Sequence, residues 1–534
     1  MTRRWSSALT LCCSLLVVSW PASDTVAQPE VLVASSSSVE QIAGLARELP
    51  LGSALRVEGM VLEAGAQPAA LELRRFQVFT PDASIVVHQA GGVERSLVPP
   101  SHAWYRGRVA GDPWSRVVLT VPAEGAVRGL VTRGGRVWAL GEESGGRRAG
   151  ALVARSVAAD EAEEPFACGN DELPLAPHDD ELFGSVPQAQ PELAATTTPY
   201  TARVAVETDY ELFLRLGSVQ AIVDYVADLF AYSSTIYDDE ILTELQVSHV
   251  STWVTPLDPW TQTSTSCAFF EFGRYWNDNR AAIPRTIAHF LSGKSTGGGV
   301  AWVGVLCQSP FNVNLGSSCP GLSPAEDNYG GGYGFTGSIT GSFDPGNPSA
   351  VWDLVAASHE IGHNFNSPHT HCYGGIGGSS APVDQCSSSQ CGQPGCHCGT
   401  SVLPCGTVGG ACGTLMSYCH LGSGGLSNIA LTFGTGHPYG VTPQRVPNRM
   451  RAHVEARAAS NAACLARVSL CDDLELTATT VNITQLFETC GTLRAHGGFE
   501  VLTAGNVTLK AGHRVILGDG FSVQAGGRLR VQVP

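Results

Sequence analysis

Short apolar runs dominate the first third of the chain. Residues 74–79, 84–88, 116–121 and 135–140 mix alternation with runs of apolar residues, and Gly and Pro separate them. We predict a separate β-rich unit from residue 28 to about 195. Its last part, from residue 171 onward, is acidic and rich in Pro, Ala and Thr, which predicts an exposed tether open to cleavage.

The pattern changes near residue 200. Residues 202–207 and 245–250 alternate as strands, and apolar residues recur at helical spacing over roughly residues 218–237. A further helix follows Ser349. It is apolar around much of its circumference, so we predict that this helix is buried. Together with a last helix around residues 445–459, these elements predict an α+β domain.

Residues after Cys471 form short apolar stretches cut by Ala-Gly and Gly-Asp-Gly sequences. Their spacing of roughly 6–10 residues predicts a stacked β module with one turn per repeat. It resembles small repetitive modules found at the C-terminus of exported bacterial proteins. That resemblance implies attachment to a cell surface or matrix, and an inert stabilising cap is the alternative.

The first residues predict export. A basic start is followed by an apolar run over residues 8–20, which is too short to span a bilayer as a stable anchor. Small residues precede Gln28, so we place a signal peptide at residues 1–27. No later apolar run is long enough to span a membrane. We expect a secreted, bacterial protein.

The net charge of -16 argues against binding to nucleic acid or to anionic membranes. Plain solubility is the simpler reason for that charge. The chain has 17 cysteines; two lie in the signal segment, and Cys168 lies in the β-rich unit. The remaining cysteines, from Cys267 to Cys490, are even in number and predict seven disulfides.

A Cys-rich loop leaves one alternative open. Cys386, Cys391, Cys396, Cys398 and His397 could hold a second metal ion. In an exported chain we favour disulfides for these cysteines.

The candidate chemistry lies in the sequence His359-Glu360-Ile361-Gly362-His363. Two histidines four residues apart on a helix share one face, where both can bind zinc, and Glu360 is placed to accept a proton from water. Chance occurrence on a helix surface is the alternative. His369 is the obvious third ligand, but a continuing helix would carry it about 9 Å along the axis. The backbone must therefore turn, and Asn366 tolerates the left-handed conformation that such a turn uses.

Further motifs extend this pattern. Residues 413–418 (Gly-Thr-Leu-Met-Ser-Tyr) resemble the Met-turn of metzincin zinc peptidases, and residues 297–307 resemble the strand that borders the cleft in reprolysin-type (ADAM-like) enzymes. The resemblance covers about half of the chain. It implies a mixed twisted sheet, one catalytic zinc ion held by His359, His363 and His369, Glu360 as general base, and Met416 packed beneath the site. Thr370 departs from the reprolysin pattern, which usually has Asp there.

Cys168 is a solitary cysteine just before the tether, in a segment that resembles reprolysin-type pro-segments. A thiolate is a good zinc ligand, so Cys168 is predicted to block the site of a zymogen. An accidental free thiol, or one paired with another cysteine, is the alternative.

These observations predict a secreted zinc endopeptidase that cleaves proteins or peptides. The expected domains are a pro-domain with its linker (28–195), a catalytic domain (196–470) and a β module (471–534). The alternative function is a non-catalytic binding protein on a metzincin scaffold, but retention of Glu360 argues against it. The sequence leaves structural calcium open and gives no support for it.

Overall fold

A computed structural model describes residues 32–63, 65–145, 149–157, 167–173, 199–315, 319–325, 327–341, 350–467, 474–489, 492–511 and 514–532. The predicted signal segment, most of the predicted tether, Ser349, Cys471 and Cys490 lie outside these residues. We refer to residues 32–157 as the N-terminal part, 167–173 as the Cys168 segment, 199–467 as the central part and 474–532 as the C-terminal module.

Within its described residues, the N-terminal part contains one α-helix and ten β-strands. They are β1 (Leu32–Ser35), α1 (Val39–Glu48), β2 (Ala54–Met60), β3 (Ala69–Phe76), β4 (Phe79–Gln89), β5 (Val93–Leu97), β6 (Ala103–Val109), β7 (Arg116–Val121), β8 (Arg128–Arg133), β9 (Arg136–Glu142) and β10 (Leu152–Ser156). Eight strands form one sheet in the order β1-β2-β3-β6-β7-β8-β9-β10, antiparallel except for the parallel pair β1–β2. Helix α1 covers one face of this sheet, where its Ile42 and Ala46 are fully buried.

The Cys168 segment and the central part supply a second sheet and most helices. Their elements are β11 (Ala167–Cys168), β12 (Tyr200–Thr208), α2 (Tyr210–Leu216), α3 (Val219–Ile241), β13 (Thr243–Trp253), α4 (Thr265–Asn279), β14 (Ile287–Leu291), β15 (Gly298–Ala301), β16 (Phe311–Val313), β17 (Asp327–Gly330), β18 (Tyr333–Thr336), α5 (Ala350–Asn364), α6 (Arg445–Ser460) and β19 (Leu465–Arg467). The sheet order is β11-β15-β18-β14-β12-β13-β4-β5, and β19 also pairs with β12. Strands β4 and β5 of the N-terminal part thus extend the central sheet, a pairing that the sequence did not predict.

The predicted helices and strands of the central part are confirmed. Helix α3 begins after Ser218, whose hydroxyl accepts the N–H of Ala221, and it runs four residues beyond the predicted end. Helix α5 is buried from Trp352 to Asn364, as its two apolar stripes predicted. The mixed α+β architecture is therefore the predicted one for this part.

The C-terminal module consists of short parallel strands. They are β20 (Leu474–Leu476), β21 (Thr480–Val481), β22 (Thr484–Thr489), β23 (Thr492–Ala495), β24 (Glu500–Val501), β25 (Asn506–Ala511), β26 (Arg514–Leu517), β27 (Ser522–Val523) and β28 (Arg528–Gln532). They form three parallel sheets, β20-β23-β26, β21-β24-β27 and β22-β25-β28. Thr484 pairs with Asn506, and Asn506 with Arg528, so these successive turns are 22 residues apart. Each turn buries apolar side chains such as Val507 and Leu509 against the next.

Disulfides staple the described residues of the central part. The pairs are Cys267–Cys319, Cys307–Cys464, Cys372–Cys396, Cys386–Cys419, Cys391–Cys398 and Cys405–Cys412. All four cysteines of the Cys-rich loop are therefore in disulfides, which confirms that prediction over a second metal site. Cys168 is the free cysteine among the residues described.

Across the parts of the chain that the structure describes, no helix combines the length and the apolar character needed to cross a bilayer.

Candidate active site

Helix α5 places His359, Glu360 and His363 at the centre of the central part. All three side chains are buried, and the two imidazole rings lie edge to face with their centroids 4.8 Å apart. The Nε2 atoms of the two histidines are 3.1 Å apart. The helical spacing alone accounts for this pairing.

A left-handed turn brings His369 back to the helix. Asn366 has φ of 74°, as predicted, and its carbonyl and side-chain oxygens accept hydrogen bonds from Arg449 at 2.6 and 3.0 Å. The His369 ring centroid then lies 4.7 Å from that of His363 and 5.2 Å from that of His359. The turn thus gathers three imidazoles that the sequence separates.

Hydrogen bonds at Nδ1 orient all three rings. The acceptors for His359, His363 and His369 are Leu415 O at 2.6 Å, Ser367 O at 2.7 Å and Gln390 Oε1 at 2.8 Å. An acceptor at Nδ1 requires the proton there, so each Nε2 carries a lone pair. Burial lowers the pKa of each imidazole well below its ordinary value, which keeps all three rings neutral.

Met416 packs directly beneath helix α5. A Cβ on Gly362 would lie 2.4 Å from the Met416 sulfur, so this glycine permits the contact. The Met416 carbonyl accepts the N–H of Thr370 at 3.0 Å and the Thr370 hydroxyl at 3.2 Å. Thr370 follows the third histidine and departs from the reprolysin pattern. Its two hydrogen bonds therefore connect this position to residues 413–418, the Met416 turn.

Cys168 reaches the same point from strand β11. Its sulfur lies 3.4 Å from His363 Nε2 and 3.7 Å from Glu360 Oε2, and the residue is buried. One ligand atom from each of Cys168, His359, His363 and His369 lies within 4.8 Å of the others. The structure thus brings together all the site residues predicted from the sequence.

The Cys168 segment occupies the edge of the central sheet. Ala167 and Cys168 pair in parallel with Gly298 and Gly299 of β15. A Cβ on Gly298 would lie 1.8 Å from the Ala167 carbonyl oxygen, so Gly298 allows this close approach. The predicted cleft-bordering strand is therefore the strand that the Cys168 segment covers.

Three further side chains position the site or the Cys168 segment, and the sequence alone indicates a role for none of them. Tyr418 donates to the Cys168 carbonyl at 3.2 Å, and Asn170 Oδ1 accepts the N–H of Ala301 at 3.0 Å. Gln390, which orients His369, comes from the Cys-rich loop. Tyr418 is the last residue of the sequence 413–418 that resembles the Met-turn, and Gln390 lies between Cys386 and Cys391, but sequence spacing does not indicate the direction of either side chain.

Glu360 is fully buried next to the thiol. Burial raises the pKa of its carboxyl well above the usual range, and Oε1 has no hydrogen-bond partner among the described atoms. Burial, and then the nearby Glu360 charge, raise the pKa of the Cys168 thiol. A positive ion would offset the repulsion that these two groups would feel as anions.

These residues fit a zinc ion. Tetrahedral ligands with nitrogen at about 2.0–2.1 Å and sulfur at about 2.3 Å lie roughly 3.3–3.6 Å from one another. The observed separations, 3.1 Å between the His359 and His363 nitrogens and 3.4 Å between the Cys168 sulfur and His363, are close to that range. Three neutral imidazoles with their lone pairs convergent form a donor set that zinc prefers.

Comparison with known proteins finds a family that part of the chain resembles. Residues 198–425 match the family model Reprolysin_5, described as metallo-peptidase family M12. No curated protein matches the chain. Among solved structures, the crystal structure of metalloproteinase-II from Bacteroides fragilis matches at 11% identity, with a TM-score of 0.31 over 64% of this chain and 89% of that one. That likeness is too low to support an argument about function. The family match and the histidine geometry agree on the same residues: residues 198–425, which include His359, His363 and His369, are similar to a metzincin-like metallopeptidase domain of family M12.

Proposed function

We propose that this protein is a secreted zinc endopeptidase made as an inactive precursor. The observation that carries the proposal is the convergence of three oriented imidazoles, one buried carboxylate and one free thiol on a single point. His359, His363 and His369 would hold the metal, with Met416 as packing beneath it.

The residues around that point suit peptide hydrolysis. Zinc, when bound, supplies a Lewis acid for the substrate carbonyl and for water. Glu360 takes a proton from the attacking water and delivers it to the leaving amine. An extended substrate would lie along β15, where main-chain groups can pair with it as an added strand.

Cys168 provides the inactive state. Its sulfur lies beside Glu360 and His363, where the reacting water would otherwise stand. The Tyr418 hydroxyl and the strand pairing with β15 hold the segment in place. Six disulfides among the described residues are compatible with the oxidising compartment that secretion implies.

Two variants test the proposal on protein from which the Cys168 segment has been released. Glu360→Gln leaves the metal ligands untouched, so zinc content should persist while turnover of a protein substrate falls by about 10²–10⁴-fold. His369→Ala removes a ligand, so zinc content measured by elemental analysis should fall as well. Unchanged turnover in Glu360→Gln would make another residue the base, and unchanged zinc in His369→Ala would remove His369 from the ligand set. A wild type that binds zinc but cleaves nothing would favour the non-catalytic binding protein.

A further inference from the structure

The N-terminal part is built into the central sheet as a strand donor. Strand β4 pairs in parallel with β13, and its residues 84–88 lie opposite residues 249–253. The Val247 N–H donates to the Val78 carbonyl at 2.8 Å, and the Val254 N–H donates to the His88 carbonyl at 3.2 Å. Without β4, the backbone edge of β13 would be open to solvent.

The two parts also share one hydrophobic core. Phe76, Val78, Phe79, Trp104 and Val118 of the N-terminal part belong to the same buried cluster as helices α3 and α5. Separation of the two parts would expose this apolar surface to water, which opposes dissociation.

Arginines of the N-terminal part form ion pairs with the central part across the interface between the two parts, which we call the seam. The pairs are Arg106–Asp238 at 3.1 Å, Arg106–Glu244, Arg108–Asp239 at 2.9 Å, Arg116–Asp239 at 2.8 Å, Arg116–Glu240 at 2.7 Å and Arg128–Asp228. The Asp228 and Glu240 side chains are only 3% and 0% exposed. Loss of an arginine partner would leave these carboxylates buried without their cation, so the pairs favour the docked arrangement.

Cys168 lies on the N-terminal side of the predicted tether, which begins at residue 171. A cut in that tether would divide the chain but would leave every contact named above intact. The covalent path from the docked N-terminal part to Cys168 would also remain.

We propose that the N-terminal part stays bound after the tether is cut and keeps Cys168 in the active site. Dissociation of the N-terminal part, rather than the cut, is then the activating event. This inference rests on the proposed blocking role of Cys168, but the retention itself requires no peptidase activity.

The test uses the full chain with a recognition sequence for an unrelated protease placed within residues 174–198. In a Glu360→Gln background, cut protein should still elute as one complex in size-exclusion chromatography. Cut wild type should not hydrolyse a peptide substrate until the N-terminal part is displaced. Separation of the fragments immediately after the cut would overturn the proposal, as would a cut complex that stays together and is fully active.

Two triple variants that remove the same charge test whether the arginine ion pairs of the seam hold the two parts together. Arg106→Ala, Arg108→Ala and Arg128→Ala together should weaken the cut complex by at least about 100-fold in Kd and should release activity. The control variant removes equal charge from arginines that pair within the N-terminal part, through Arg56→Ala, Arg133→Ala and Arg155→Ala. The cut control should elute as one complex and should remain inactive towards the peptide substrate. Equal retention by both variants would overturn the ion-pair seam. If the dissociated central part binds zinc yet cleaves nothing, the proposed function fails, whereas the retention result still stands.

Discussion

The site residues act through short contacts whose geometry can be tested one at a time. Cys168 is the clearest, because its sulfur lies within 3.7 Å of Glu360 and 3.4 Å of His363. We expect uncut Cys168→Ala protein to cleave peptides while uncut wild type does not. Mass spectrometry on the assayed samples establishes that both chains are intact. Equal activities, or a disulfide at Cys168, would end the blocking role.

Asn366 decides where His369 lies, and its backbone is the reason. A left-handed conformation costs most residues about 1–2 kcal/mol but costs Gly little. Asn366→Ala and Asn366→Gly both lose the side-chain oxygen that Arg449 contacts, so their difference isolates the backbone cost. We expect the Ala variant to be less stable than the Gly variant by about 1 kcal/mol in denaturant unfolding, and to hold zinc more weakly. Equal behaviour would mean that φ at this position is not limiting.

Helix α5 and the Met416 turn fit together at Gly362. A methyl group there would meet the Met416 sulfur at 2.4 Å, and Met416 is fully buried, so Gly362→Ala should cost about 1–3 kcal/mol through overpacking. Gly44 in helix α1 is the matched control, because nothing lies within 4 Å of an added Cβ there. Gly44→Ala should leave stability unchanged or raise it by up to about 1 kcal/mol.

Thermal unfolding of the two glycine variants, with zinc content on the same samples, checks this prediction. The Gly362 variant should lose zinc as well as stability, since His359 and His363 lie on the same helix. A Gly362 variant as stable as wild type would show that the Met416 side chain moves aside without cost.

At the scale of the whole molecule, His88 is a buried histidine in the seam between the N-terminal and central parts, and we expect its protonation to weaken that seam. His88 of β4 donates to or accepts from Ser251 at 2.8 Å and stacks on Trp253. Burial, and then Arg280, lower the pKa of His88 to about 4, whereas Glu94 acts in the opposite direction. The neighbouring His249 also has its pKa lowered to about 4 by burial, with Arg280, His88 and Arg285 adding to that effect.

The sign follows from proton uptake. Well above pH 6.5 the His88 imidazole is neutral in both folded and unfolded chains, so its protonation takes nothing from stability there. As the pH falls from about 6.5 to 4, the unfolded chain binds a proton that the folded chain does not, and stability is lost. His88→Gln should therefore show a shallower loss of stability over this range than wild type. Parallel denaturant-unfolding curves for the two proteins between pH 7 and pH 4 would contradict the assignment.

Local spacing in the sequence was enough to predict much of the centre of the molecule. The i, i+4 histidines, the helical stretch that became α3 and the left-handed Asn366 all depend on residues within a few positions of one another. Disulfides in the Cys-rich loop also followed from local composition and from the inferred compartment.

Tertiary structure alone decided the contacts between distant segments. The addition of β4 and β5 to the central sheet, the arginine seam, and the approach of Gln390 and Tyr418 to the site join residues far apart in the chain. The periodicity of a sequence does not specify such pairings. Alternation along a strand indicates which face of that strand is apolar, but it does not indicate which other strand pairs with it. The sequence could therefore predict a blocking role for Cys168, but only the fold shows which surfaces place its sulfur beside Glu360 and His363.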